Sequence, residues 1–150
     1  MRKVFLYVLI TVAVLSVPTR PADVADLHPV QTVALYKTLD GYRIETDTDD
    51  TGEGKTVEEA FADLQETTVG VIYLDTADYF LIFRGAESGG NQMRKYLKSD
   101  VGVCSAVGQG NLKEISQYLS VRGDLMPLHR WETGQKLPVL DCSSDRIKFM

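Results

Sequence analysis

Apolar residues recur at helical spacing just past the first third of the chain. Val57, Ala60, Phe61 and Leu64 fall at i, i+3, i+4 and i+7, one face of a helix. Thr56 and Glu59 fit a capping box, in which the threonine hydroxyl accepts from the third helical amide and the glutamate reaches back. Before this helix the period is two. Residues 30–37 and 42–47 read as strands, with Tyr42, Ile44 and Thr46 alternating against Arg43, Glu45 and Asp47, and Asp40-Gly41 marks a hairpin turn. Residues 48–54 are polar and predict a flexible loop.

After the helix, residues 69–74 and 79–83 are apolar β-formers, predicted as two strands joined by a tight turn at 75–78, with one bent strand as the alternative. Gly85, Gly89 and Gly90 break the pattern; Met93, Tyr96 and Leu97 then suggest a short helix, and residues 103–107 a strand. Asn111 and Glu114 repeat the capping pattern, with Leu112, Ile115 and Leu119 forming the buried face of a third helix. A helical turn at 125–131 and a closing hairpin of 137–142 with 146–149, around Ser143 to Asp145, complete the chain. The order ββαββαβαββ predicts an α+β fold: a mixed sheet of hairpin-joined strands with about three helices gathered on one face. Residues 28–150 are expected to form a single domain, since no repeat or low-complexity segment divides them.

The N-terminus differs in kind. Met1, Arg2 and Lys3 precede an unbroken apolar run at 4–17, ended by Pro18 and Pro21. That run is shorter than the roughly 20 residues a membrane-crossing helix needs. Residues 1–25 therefore read as a signal peptide, with an N-terminal membrane anchor as the alternative. The expected location is extracytoplasmic, secreted or membrane-associated, with membrane association only through this segment. Residues 14–16, Ala22 and Ala25 are the candidate cleavage positions, and no cysteine follows the run to accept a lipid. A net charge of −5 with scattered basic residues excludes a nucleic-acid surface. In an oxidising compartment Cys104 and Cys142 either form a bridge or stay as two buried thiols. Neither has a further ligand at zinc spacing.

Candidate chemistry is sparse. Residues 47–58 match a calcium loop at Asp47, Asp49, Gly52 and Glu58, although a strand precedes them and Thr51 and Lys55 replace better ligands. Asp75-Thr76-Ala77 after an apolar strand resembles the aspartic-protease element, which requires a second carboxylate from a dimer partner. His28 and His129 are far apart in sequence, and the turns at 85–90 and 108–110 lack the lysine of a phosphate loop. Arg84 ends a strand, where it either contacts an anion or is solvated; Trp131 and Tyr118 line a groove or fill the core. No catalytic, cofactor-binding or metal-binding residue is assigned. The contact surfaces expected are the acidic 47–53 loop, the 74–79 turn and any exposed sheet edge.

Asp40-Gly41-Tyr42-Arg43-Ile44, the stretch from Gly52 to Thr56 with Glu59, Ala60 and Leu64, and the apolar runs 71–74 and 79–82 resemble the N-terminal domain of the spore germination receptor C-subunit family, the Ger(x)C proteins. The resemblance spans about residues 30–83. It implies an exported, membrane-associated, non-enzymatic component of a receptor or assembly in an endospore-forming bacterium, partnered by other proteins at the outer membrane face. Family members carry a lipid-bearing cysteine and further domains, so a free-standing single-domain relative is what the resemblance implies here. The rival expectations are a small dimeric aspartic-type peptidase using Asp75 and a calcium-dependent binding module using the 47–58 loop.

Overall fold

The computed structural model describes residues 27–122, 125–132, 134–143 and 146–150; the leader proposed at 1–25 and the tip of the closing hairpin lie outside the described residues. The chain begins with β1 (Leu27–Pro29), then runs through β2 (Thr32–Lys37), β3 (Tyr42–Thr46) and β4 (Thr51–Gly54) into helix α1 (Val57–Thr67). Next come β5 (Val71–Tyr73), a 3-10 turn (Leu74–Thr76), β6 (Tyr79–Phe83), α2 (Glu87–Met93), β7 (Gly102–Gly108) and α3 (Leu112–Arg122). A short β8 (Met126–Pro127), a second 3-10 turn (Leu128–Arg130), β9 (Val139–Cys142) and β10 (Lys148–Phe149) finish it.

The fold is α+β. One mixed sheet runs in the order β10-β9-β7-β6-β2-β3-β4, with β8 added beside β7, and β1 pairs with β5 in a separate two-stranded sheet. The centre is parallel: β2 pairs with β6, β6 with β7, and β7 with β9. The flanks are antiparallel, β2-β3-β4 on one side and β9-β10 on the other.

Helices cover both faces, contrary to the expectation of one. Val33, Leu35, Ile44, Phe80 and Ile82 pack with Val57, Ala60 and Leu64 of α1 and Met93 of α2. Ala34, Leu81, Cys104 and Ala106 pack instead with Leu112, Ile115 and Leu119 of α3. Strands buried on both faces are apolar at successive positions rather than alternating, as Val33 to Leu35 and Phe80 to Phe83 are, every one of them buried.

The segment expected to be a loop, 48–54, instead turns sharply at 47–50 and becomes strand β4. Its glycines admit the helix. A Cβ on Gly52 would stand 2.3 Å from the Ala60 carbonyl oxygen, and one on Gly54 2.4 Å from the Ala60 amide nitrogen. Backbone therefore lies on backbone where α1 crosses β4. The same helix closes the sheet edge: Asp63 Oδ2 accepts from the Glu53 amide at 2.8 Å, and the Thr67 hydroxyl donates to the Thr51 carbonyl at 3.1 Å. These outward backbone groups would otherwise template pairing with another chain. The capping box forms as the sequence predicts, Thr56 Oγ1 accepting from Glu59 N at 3.1 Å and Glu59 Oε2 accepting from Thr56 N at 3.3 Å.

Two further expectations change. Strands β5 and β6 do not pair with each other: β5 joins β1 and β6 enters the main sheet, with the 3-10 turn between them re-aiming the chain. Gly89 and Gly90 do not break the chain but lie inside α2, because added Cβ atoms would meet Tyr42 at 2.6 Å and Trp131 at 2.8 Å. Two helical glycines cost about 2 kcal/mol of propensity; close seating of the helix on these rings offsets it. Among the described residues no helix is long and apolar enough to cross a membrane.

Candidate functional site

A cleft of about 590 Å³ opens at the carboxyl ends of β2, β6 and β7. The sheet ladder builds its base. Tyr36 pairs across from Arg43 and Ala34 from Glu45, so Tyr36, Arg43 and Glu45 share the α3 face of the sheet. The Tyr36 ring stacks on Phe83 with centroids 4.1 Å apart, and the Arg43 guanidinium lies 5.3 Å from the Tyr36 ring centre. Arg43 Nη2 donates to Glu45 Oε2 at 2.6 Å, a contact that raises the affinity of the guanidinium for its proton. Burial, and then the Glu45 carboxylate, push the Tyr36 phenol upward, so it stays neutral and donor-competent.

The rest of the lining comes from strand ends. Lys37 ends β2 and Thr38 follows it, Arg84 follows β6, and Gly108 at the end of β7 leads through Gln109 and Gly110 toward α3. Gly108 has φ +92, and a Cβ there would sit 2.4 Å from the Ser143 amide nitrogen, so this wall is necessarily bare backbone. The Lys37 ammonium sits 3.9 Å from the centre of the Tyr42 ring, and Arg84 is exposed with no ion pair among the described residues. Arg43 and Arg84 thus share the lining with one carboxylate, in a chain whose net charge is −5, while the Lys37 ammonium turns with Tyr42 toward α2.

The residues singled out from sequence are dispersed. Asp47 Oδ1 accepts from the amides of Gln31 and Thr32 at 3.0 and 3.1 Å, Asp49 pairs with Lys113 at 3.0 Å, and Glu58 pairs with Lys95 at 3.3 Å. The calcium-loop window is therefore a strand end, a tight turn, a strand and a helix start, with its acids aimed at different elements. Among the described residues no group of three or more His, Cys, Asp and Glu is placed to share a metal ion. Asp75 is exposed on the 3-10 turn; the adjacent Thr76 hydroxyl accepts from Val30 N and donates to Val30 O, both at 3.0 Å, pinning the turn beyond β1. His28 lies on β1 opposite Ile72 in register, while His129 is exposed and bonded through Nδ1 to the Ser99 carbonyl at 2.8 Å. Trp131 is core, 2% exposed, and Tyr118 packs near Phe149 on the opposite face.

Cys104 and Cys142 are both free and buried. The register sets Cys142 opposite Gly108, four residues along β7 from Cys104, an offset of about 13 Å. A disulfide needs Cα atoms within about 7 Å. Burial pushes the Cys104 thiol up to about 12 and that of Cys142 to about 11, so neither is a nucleophile at neutral pH.

A second surface feature matches no motif in the sequence. On β5, Ile72 turns inward while Val71 and Tyr73 face solvent, 45% and 43% exposed, and Val69 just before them is 86% exposed. No protein-family model matches this chain, and neither does any curated protein or solved structure.

Proposed function

We propose that this chain is an exported domain that binds and assembles with other proteins at the outer face of a bacterial membrane, without catalysis, and is akin to the first domain of germination-receptor C-subunits. The apolar stripe of Val69, Val71 and Tyr73 carries the reading. Clustered exposed apolar side chains on a water-soluble domain mark a surface that a partner covers. The stripe's strand pairs with β1, and Leu27 at the head of β1 follows closely on the leader proposed at 1–25. A chain held by that leader would present the stripe close to the membrane. Support for the kinship is local: the residues carrying the resemblance fall on β3, on the glycine-mediated seating of α1 over β4, and on β5 and β6.

The test has two arms. A photo-crosslinking residue at Val71 should give protein adducts in intact cells, on chain that external protease can digest, and Tyr73→Lys should abolish the adducts. A protease-protected chain, or a stripe that captures no protein, refutes the reading. Peptide cleavage at acidic pH that Asp75→Asn abolishes would replace it with the peptidase.

A further inference from the structure

We infer that the cleft at the carboxyl ends of β2, β6 and β7 binds a small molecule bearing an oxyanion, a carboxylate or a phosphate, through Arg84 and the Gly108–Gly110 turn. This goes beyond the assembly reading and uses a different surface from the β5 stripe.

Four observations converge. The volume, about 590 Å³, falls within the range of small-molecule sites. The place in the fold is favourable: β6 leads to α2 on one face of the sheet and β7 to α3 on the other. Where neighbouring parallel strands send their helices to opposite faces, a crevice opens beyond the strand ends, and ligands bind there.

The charge is the third. Glu45, the one carboxylate of the lining, is already tied to Arg43 at 2.6 Å, which leaves the Arg84 guanidinium uncompensated among the described residues. A guanidinium presents a planar fork of donors that matches carboxylate and phosphate oxygens. The fourth is the wall opposite. Gly108 to Gly110 exposes backbone unobstructed by side chains at 108 and 110, just ahead of the 11-residue helix α3.

The experiment is an amide-resolved NMR titration of the domain with inorganic phosphate and, separately, citrate, at low and at 0.5 M salt. The inference expects saturable shifts at Gln109, Gly110 and Arg84 with one of the two probes, weakened by salt, and about tenfold weaker binding in Arg84→Ala. Which probe saturates distinguishes a phosphate ligand from a carboxylate one. Arg84 is exposed and unpaired, so the variant should melt as wild type does; Arg84→Glu, which reverses the charge, should abolish the shifts. Shifts that never saturate, that spare residues 108–110, or that persist equally in Arg84→Ala mean an adventitious ion only and overturn the inference. Loss of this binding leaves Val71 crosslinking untouched, so the two proposals fail separately.

Discussion

Replacing Gly52 by alanine would set a methyl group 2.3 Å from the Ala60 carbonyl oxygen, 2.4 Å from the Leu64 amide nitrogen and 2.6 Å from the Leu64 Cβ. None of these atoms is the loose end of a side chain. The helix must therefore move away from β4 by about 1 Å to restore normal contact, and a gap of that size forfeits a quarter to a half of the dispersion across it. The side chains lifted from their seats are Val57, Ala60 and Leu64, all fully buried. Burial of a valine or leucine is worth about 1.5–3 kcal/mol, so losing a third to a half of two of them, plus the overpacking strain itself, comes to about 2–4 kcal/mol. Urea unfolding followed by circular dichroism measures this as a lower midpoint at unchanged slope. Glu53→Ala, at the neighbouring exposed position, is the control and should cost less than about 1 kcal/mol. A Gly52→Ala variant within 0.5 kcal/mol of wild type refutes the claim that helix and strand backbones touch.

Asp47→Ala removes the acceptor for the Gln31 and Thr32 amides and should destabilise by about 1–3 kcal/mol in the same assay. Trp131→Ala empties the space beside Gly90 and should cost about 3–5 kcal/mol. The buried thiols make stability depend on alkaline pH. Cys104 titrates near 9.0 when unfolded and near 12 in the fold, so the folded state holds the proton more tightly. Its contribution is whole below pH 9 and declines by about 1.4 kcal/mol per pH unit as pH rises toward the folded value. Cys104→Ala should flatten the fall in unfolding free energy between pH 9 and pH 10.5; an identical slope in both proteins counts against the buried thiol. A thiol-reactive dye at pH 8 should modify neither cysteine until denaturant is added.

Periodicity carried much of the secondary structure: the α1 face, the capping box, the half-buried β3 and the closing hairpin all sit where the pattern puts them. Two of the differences, at β4 and at α2, have a common cause in glycine. At 52, 54, 89 and 90 the absence of a side chain reads as a break, whereas the structure uses it to let a helix approach a strand or a ring, and only the neighbour across the gap reveals this. Helices on both faces were legible in principle, since Phe80, Leu81, Ile82 and Phe83 leave no polar position for a solvated side. The β5–β6 hairpin was misjudged because local hydrophobicity cannot tell which distant strand will pair. The cleft was visible only in part. Arg84 stands out beside its strand, but the antiparallel β2–β3 hairpin that carries Arg43 and Glu45 is brought beside Arg84 and the Gly108 turn by parallel pairing of β2, β6 and β7, strands far apart in sequence, which no short motif encodes.

The position of β6 has a consequence for how the protein matures. During synthesis β2 is made early and pairs with β3, which pairs in turn with β4, yet the other edge of β2 is filled only when Tyr79–Phe83 arrives. Until then a row of unpaired backbone groups flanked by Val33, Ala34 and Leu35 is open to any passing strand. The β2–β4 meander with α1 clamped upon it can close first as a half-built platform, and the interval before β6 docks is when the chain most needs shelter from its own copies.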